Sequence, residues 1–138
     1  YGEWGRPDML ILKFLKLANH NKQFELNLGG NMYRDFTYIK SAIKMTKPLI
    51  KLKTKKKYQI FNICSSKPVK VNDIVESLKK FTNFKKIKNI SMNKHEVYKT
   101  YGSNQKILKK INLKNSFLQI NKGVKKTFIW FLKYKKII

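Results

Sequence analysis

The stretch YGEWGRPDM, residues 1–9, opens the chain and is unusually rich in loop-forming residues. It places two glycines, a tryptophan, an arginine and a proline within residues 1–7. Because glycine permits unusual backbone angles and proline fixes one, this crowding predicts a shaped loop. The chain opens inside that loop with Tyr1 and not with a methionine, so we expect the sequence to be a piece cut from a longer protein.

Composition indicates a folded chain. Its 138 residues are 42% hydrophobic and 13% aromatic, which suits one domain, or part of one, with a buried core. The single Cys64 excludes an internal disulfide, and no apolar run approaches the roughly 18 to 20 residues of a membrane span. We therefore expect a cytoplasmic protein with no membrane partner.

The net charge of +25 raises the possibility of a nucleic-acid partner. Of the 32 basic residues, however, only Arg6 and Arg34 are arginines, and the lysines are spread along the chain with one tight cluster in the run 51–57. Proteins that read DNA rely on arginine for two-pronged contacts to guanine and phosphate. Lysine, isoleucine and asparagine all have A/T-rich codons, so mutational drift also explains this composition. We expect no specific nucleic acid.

A lysine-rich nucleic-acid-binding module is nevertheless the rival from another class. It would need aromatic residues interleaved with basic ones on one face, together with a salt-dependent affinity for DNA or RNA. Residues near the C-terminus could mimic this pattern, although their spacing favours a helix packed on a sheet: Phe128, Trp130, Phe131 and Tyr134, beside Lys125, Lys126 and Lys133.

Apolar periodicity predicts three main helices. The first runs from about Met9 to Ala18 with Asp8 as its cap, and the second begins at Asn72 or Asp73. The third opens with a capping box at Ser116 and Gln119. Glycine at position 123 inside it costs roughly 1 kcal/mol against alanine, which predicts a packing reason. The buried faces are Leu10, Ile11, Phe14, Leu15 and Leu17, then Ile74, Val75, Leu78 and Phe81, then Ile120, Val124, Phe128, Ile129 and Phe131.

Alternating patterns predict strands between these helices. Residues 24–28 form one strand that Gly29-Gly30 ends, and 34–39 form a second extended piece, followed by a short helix over 40–46 that Pro48 interrupts. Residues 51–57 read as a solvated loop. The best strand in the chain is 58–63, followed by a loop over 64–68, and a last strand covers 86–92. The fold class is mixed α/β.

Most kinds of catalytic site find no support in the residues. One cysteine and two histidines, His20 and His95, do not make a zinc site, and the seven acidic residues include no close carboxylate pair. His20, His95 and Cys64 are each best interpreted as structural. The glycines at 2 and 5 lack the third glycine of a dinucleotide-binding turn, since Asp8 stands in its place. No tyrosine is followed by lysine at the fourth position.

Three segments in order carry a resemblance to a known family. YGEWGRPDM at 1–9, NMYRDFTYI at 31–39 and YQIFNICSSKPV at 58–69 resemble the C-terminal part of the NAD-dependent epimerase/dehydratase family, which belongs to the extended short-chain dehydrogenases, and most closely the UDP-glucuronate 4-epimerases. That group typically shows YGPWGRPDM, RDFTYIDDI and YNIGNSSPV. HEVYKT at 95–100 is similar to its GDVYKT. The resemblance covers nearly the whole chain.

The resemblance implies that residues 1–138 are the C-terminal substrate-binding region, with the Rossmann half missing. NAD and the catalytic Tyr-x-x-x-Lys pair would then belong upstream, so this chain alone should be inactive and supplies no catalytic, cofactor-binding or metal residue. It would hold the UDP-sugar of an isomerase that interconverts UDP-glucuronate and UDP-galacturonate through a 4-keto intermediate. Such an enzyme serves polysaccharide biosynthesis, and we expect its full-length form to be a homodimer.

The two arginines are the candidate substrate-binding residues. By this resemblance, Arg34 matches the RDFTYI arginine, expected at the UDP pyrophosphate, and Arg6 matches the GRPDM arginine, expected near the substrate at the cleft. A guanidinium fork suits phosphate oxygens better than a mobile ammonium does. The alternative is structural, with an Arg34–Asp35 ion pair and with Arg6 bracing its loop.

Four departures from the family pattern keep other readings open. Lys40-Ser41 replace its two aspartates, Cys64 its strand-end glycine, His95-Glu96 its Gly-Asp, and Asn27 an aromatic residue. A nucleotide-sugar 4,6-dehydratase or 5-epimerase is the alternative within the family, because one scaffold hosts several reactions.

Overall fold

The structure is a computed structural model that describes residues 1–53, 57–92, 96–114 and 117–137. Short strands alternate with helices along the chain, so the predicted mixed α/β class is confirmed. The strands are β1 (Phe24–Asn27), β2 (Tyr33–Arg34), β3 (Val69–Lys70) and β4 (Ile87–Ile90). The helices are α1 (Leu10–Asn19), α2 (Ile39–Ile50), α3 (Val71–Thr82), α4 (Gln105–Ile111) and α5 (Ile120–Tyr134).

The described strands form two small sheets. β1 lies parallel to β4, with Phe24 opposite Ile87 and Asn27 opposite Ile90. β2 lies antiparallel to β3, and Tyr33 also forms an isolated parallel bridge with Lys99. A 3-10 turn over Leu28–Gly30 carries the chain from β1 of the first sheet towards β2 of the second.

The core lies where α1, α3 and α5 pack against β1. Aromatic rings fill its centre, with Phe14 edge-on to Phe24 at 5.1 Å and to Phe84 at 5.5 Å between ring centroids. The predicted apolar faces of the three helices are confirmed except at Ile129, which is 56% exposed on the outer side of α5. Residues of the three predicted faces that are buried are Ile11, Phe14, Leu15, Ile74, Val75, Leu78, Val124 and Phe131.

Gly123 has the packing reason that its position in a helix predicts. A Cβ atom there would overlap the Tyr1 hydroxyl and lie 2.8 Å from its Cζ. The Tyr1 hydroxyl reaches the carbonyl of Ile120 at 3.4 Å, and burial, followed by the nearby Tyr38, raises the pKa of that hydroxyl. The first residue of the chain is therefore packed against its last helix.

The predicted strand over 58–63 is wrong. These residues form no ladder with another described strand, and Tyr58 and Ile60 are exposed. A strand pattern describes a half-buried, paired surface, and no described segment pairs with this one. The extended piece predicted over 34–39 is in a ladder only at Arg34, while 35–38 continue outside the sheet.

The helices were predicted with inexact ends. Asp8 does not cap α1, because its carboxylate binds Arg6, and the cap position is Met9. Asn72 and Asp73 lie within the first turn of α3, whose cap position is Lys70. α5 begins after Gln119, later than the capping box implies, and Ser116 lies outside the described residues.

Two further features of the helices differ from expectation. α2 continues through Pro48 to Ile50, because a proline in the last turn removes only one hydrogen bond of the ladder. α4 was not predicted. Positions 52, 53 and 57 of the predicted loop are neither helix nor strand, while 54–56 lie outside the described residues.

Candidate functional site

A cleft of about 570 Å³ brings together segments that are far apart in the sequence. Its walls are the loop 1–9, the start of α1, strand β1, the segment 34–37, and residues near 96–100. Both arginines of the chain line it. The two residues that sequence reasoning selected for ligand binding therefore share one cavity.

Arg34 is anchored at the floor of this cleft. Its backbone belongs to β2, and its side chain is only 20% exposed. The guanidinium donates hydrogen bonds to the carbonyl oxygens of Tyr33 at 2.8 Å and Tyr98 at 3.3 Å, and it forms an ion pair with Glu96. These contacts fix the orientation of the guanidinium before any ligand arrives.

Glu96 is held from two sides. One carboxylate oxygen pairs with Arg34, and the other accepts a hydrogen bond from the Asn27 amide at 3.4 Å. Asn27 ends β1, so the cluster of Asn27, Arg34 and Glu96 joins both sheets across the cleft. We call these three residues the polar clamp.

Asp35 is not the partner of Arg34, so the alternative of an Arg34–Asp35 ion pair is wrong. Its carboxylate accepts hydrogen bonds from the amides of Ser65 at 3.1 Å, Ser66 at 3.0 Å and Gly102 at 3.4 Å, and from the Ser65 hydroxyl. The two adjacent residues thus have different contacts. Arg34 points its guanidinium to Glu96 in the cleft, whereas Asp35 binds the loop that follows 58–63.

Arg6 is at the edge of the cleft and exposed. Its guanidinium binds the Asp8 carboxylate through two contacts, Nε–Oδ1 at 3.1 Å and Nη2–Oδ2 at 2.6 Å. Asp8 raises the pKa of Arg6, and the hydrogen bond from Arg6 holds the pKa of Asp8 below its ordinary value. Arg6 therefore braces its own loop and still presents a cation to the cleft.

A second polar cluster stands beside the loop. Glu3 accepts hydrogen bonds from the Tyr38 hydroxyl and the Lys40 ammonium, both at 2.9 Å. Burial, then the bond to Glu3, raises the pKa of Tyr38 to about 12. Burial alone would raise the pKa of Glu3, but the hydrogen bonds from Lys40, its own backbone and Tyr38 outweigh it and leave that pKa lowered.

The other singled-out residues do not join the cleft. His20 is exposed at the end of α1, and Cys64 is half-buried, with its sulfur 3.6 Å from the Ser66 hydroxyl. His95 lies outside the described residues. Among the described residues, no group of three or more His, Cys, Asp or Glu could hold a metal ion.

The aromatic residues of α5 contact other rings, and only part of them face the core. Phe128 stacks on Phe81 with the ring centroids 5.4 Å apart, and Phe131 is buried. Trp130 and Tyr134 pack on Trp4, at 5.2 and 5.4 Å. Phe128 and Phe131 therefore belong to the core side of α5, whereas Trp130 and Tyr134 lie beside the exposed Trp4, with the Lys133 ammonium 5.2 Å from the centroid of the Tyr134 ring.

Comparison with known proteins finds relatives that include UDP-glucuronate 4-epimerases and uncharacterized proteins. No family model matches the sequence. The chain is 39% identical over 136 residues to an uncharacterized protein of Methanocaldococcus jannaschii, covering 98% of this chain and 41% of that protein. It is 32% identical over 136 residues to a UDP-glucuronate 4-epimerase of Thermodesulfobacterium geofontis, covering 94% of this chain and 40% of that protein.

The fold comparison agrees. A UDP-glucuronic acid 4-epimerase from Bacillus cereus, solved in complex with UDP-glucuronic acid and NAD, matches with a TM-score of 0.84 at 21% identity, over 96% of this chain and 42% of that one. Solved structures of nucleotide-sugar dehydratases share the fold as well. The chain resembles the C-terminal part of NAD-dependent epimerase/dehydratase enzymes. The resemblance read from the three motifs is confirmed.

The chain spans about two fifths of the length of the curated epimerase/dehydratase relatives it matches. This share is consistent with the predicted C-terminal part. The family binds NAD with its N-terminal Rossmann part, and these 138 residues do not include that part.

The structure shows polar contacts for three of the four departures from the family pattern. Lys40, which stands where the epimerase motif has an aspartate, forms its ion pair with Glu3, which stands where the motif has a proline. Ser41, in place of the second aspartate, accepts a hydrogen bond from the Leu118 amide at 3.1 Å. Asn27 and Glu96, two further departures, meet in the polar clamp.

Sequence reasoning missed the polar clamp as a unit, although a signal for it exists. Glu96 is the last acidic residue of the chain, and the preceding one is Glu76. In a chain with seven acidic and 32 basic residues, each retained acid is informative. Five of the seven, Glu3, Asp8, Asp35, Glu76 and Glu96, bind defined partners.

Proposed function

We propose that the cleft binds the diphosphate of a nucleotide sugar, with Arg34 at the pyrophosphate and Arg6 near the sugar. One observation carries this: the only two arginines of the chain line the same cleft of about 570 Å³, and one of them is half-buried and oriented. A planar guanidinium binds phosphate oxygens in pairs, which a lysine ammonium does not do.

The polar clamp suggests how the nucleotide is accommodated. A diphosphate that reaches Arg34 competes with the Glu96 carboxylate for the same N–H donors. Since Arg34 also donates to two backbone carbonyls, it keeps its place while Glu96 gives up one contact. The freed carboxylate is a hydrogen-bond acceptor for hydroxyl groups, and the Asn27 amide remains beside it.

The substrate that we favour is UDP-glucuronate. Its support is the 32% identity to an enzyme named for that substrate. An anionic sugar also suits Arg6, a second cation at the edge of the same cleft. The whole enzyme would then invert the sugar at C4 through a 4-keto intermediate, with NAD taking and returning a hydride.

In this proposal the present residues bind and orient, and they do not transfer protons. No Tyr-x-x-x-Lys pair occurs in the sequence, and no described acid pair replaces it. We therefore expect no conversion of UDP-glucuronate to UDP-galacturonate by this chain with added NAD. Saturable formation of UDP-galacturonate by the purified chain would contradict this assignment.

The wider setting is part of the same proposal. A single free cysteine suits a reducing compartment, so we place the enzyme in the cytoplasm, where it would serve polysaccharide biosynthesis as a full-length homodimer. A 4,6-dehydratase or 5-epimerase remains the second candidate, favoured by the dehydratases that share the fold. Product analysis of the whole enzyme distinguishes these reactions.

Nuclear magnetic resonance tests the binding site on the chain as it exists. The ¹⁵N-labelled chain is titrated with UDP-glucuronate, and separately with uridine, which lacks the phosphates. We expect saturable shifts for Gly5, Asn27, Arg34 and Phe36 with UDP-glucuronate and much weaker ones with uridine. Shifts scattered over exposed lysines, or none in the cleft, would overturn the proposal.

A further inference from the structure

The outward face of α5 combines lysine with exposed aliphatic side chains. Ile129 is 56% exposed and Leu132 is 48% exposed. At 3.6 residues per turn, these two and the neighbouring lysines fall within an arc of roughly 120°. We call this set the lysine–aliphatic face: Lys122, Lys125, Lys126, Ile129, Leu132 and Lys133.

The positive charge of this face has no acidic counterpart in the described residues. None of the four ion pairs found there includes its lysines. No Asp or Glu follows Glu96 in the sequence. α3, which packs against α5, carries Asp73 and Glu76, and Glu76 pairs with Lys79 of its own helix. The charge is therefore available to an anionic partner.

The apolar part of the face points to the kind of anion. A nucleic acid would be held by stacking on aromatic rings and by arginine, but the six residues of the lysine–aliphatic face include no aromatic residue and no arginine. Aliphatic side chains flanked by lysines match a different surface. In a helix that lies along a membrane, apolar groups enter the boundary of the acyl chains while lysines reach the anionic headgroups.

We propose that the lysine–aliphatic face docks this domain on the surface of a membrane that contains anionic phospholipid. This departs from the expectation of no membrane partner, which rested only on the lack of an apolar run long enough to span a bilayer. The contact is peripheral, since no helix in the described part of the chain has the length and apolarity to cross a bilayer. It uses the side of α5 opposite the packed core, so docking leaves the core unchanged and does not rest on the proposed nucleotide-sugar function.

Vesicle sedimentation tests this with the chain as it exists. We expect it to sediment with vesicles of phosphatidylcholine and phosphatidylglycerol and to remain in solution with phosphatidylcholine alone. The variant Ile129→Gln/Leu132→Gln removes the aliphatic part and should weaken binding by roughly tenfold. Circular dichroism and thermal melts establish that each variant folds, and both substituted residues are exposed.

Two charge variants separate this face from total charge. Lys122→Gln/Lys125→Gln/Lys126→Gln should weaken binding strongly, whereas Lys109→Gln/Lys110→Gln/Lys114→Gln, with the same change in net charge elsewhere, should weaken it little. Equal losses in the two variants, or no effect of the Ile129/Leu132 change, would overturn the proposal. So would an absence of vesicle binding, or a tighter association with RNA that depends on the α5 lysines.

Discussion

The main helices and the segment 58–63 were both predicted from the sequence, but only the helices form the predicted structure. α3 and its neighbours α1 and α5 bury most of their periodic apolar residues, with Leu78 fully buried, although Ile129 of α5 is 56% exposed. The segment 58–63 is rich in residues that favour strands, but it forms no ladder with a described strand, and Ile60 is 73% exposed. A helix satisfies its own backbone, whereas a strand needs a partner strand. A strand-like sequence is therefore not enough to form a ladder, and no described strand pairs with 58–63.

The largest expected effect is the difference in the free energy of unfolding between a truncation in the helical core and one in the segment 58–63. Leu78→Ala leaves a cavity among α1, α3 and β1, and we expect a loss of about 2 to 5 kcal/mol. Ile60→Ala, at an exposed position of 58–63, should change stability by less than about 0.5 kcal/mol. Urea titrations of both variants measure this. Equal losses would mean that 58–63 is packed as tightly as the core.

A smaller loss is expected at the contact between the loop and α5. Gly123→Ala places a methyl group against Tyr1, and overpacking of this kind costs about 1 to 3 kcal/mol. Tyr1→Ala should be destabilising on its own, yet the double variant should lose less than the sum of the single losses, because the clash is gone. If the stability losses of the two single variants, measured by thermal melts, add up to the loss of the double variant, then Tyr1 and Gly123 do not interact as described.

The smallest expected effect is on the hydrogen bonds by which Asp35 holds the loop that follows 58–63. Asp35→Asn keeps the size of the side chain but weakens its bonds to the Ser65, Ser66 and Gly102 amides. A hydrogen bond to a charged group contributes about 1.5 to 3 kcal/mol to stability. The neutral asparagine side chain keeps part of this contribution, so we expect the free energy of unfolding to fall by about 1 kcal/mol. Hydrogen exchange should accelerate at those three amides and stay unchanged in α3.

Structural features that depend on residues close in the sequence could be predicted, whereas those that depend on distant residues could not. The apolar faces of α1 and α3 could be predicted because periodicity is local. Asp8 was an acceptable cap by position, but Arg6, two residues away, competed for its carboxylate. Ile129 looked like a core residue, although only packing decides which edge of an apolar stripe is covered. Strand 58–63 failed because pairing depends on segments far away in the sequence.

The site divides in the same way. Arg6 and Arg34 could be chosen because they stand in motifs and are rare. That they share one cleft, and that Glu96 binds Arg34 across 62 residues of sequence, follows only from the fold. The bonds of Asp35 to residues 65, 66 and 102 are equally distant. Long-range polar contacts leave no periodic trace.

The central claim, that Arg34 binds the pyrophosphate, is tested most directly by calorimetric titration of UDP into the chain and two variants. Arg34→Lys keeps the charge and loses the paired geometry, so it should weaken binding by about 1 to 3 kcal/mol, roughly five- to 150-fold in Kd. Lys51→Gln/Lys53→Gln/Lys57→Gln removes three exposed charges, which salt screens, and should change Kd less than about twofold. Equal and negligible losses in both variants would remove Arg34 from the site, and a dominant loss in the lysine variant would favour non-specific attraction to charge.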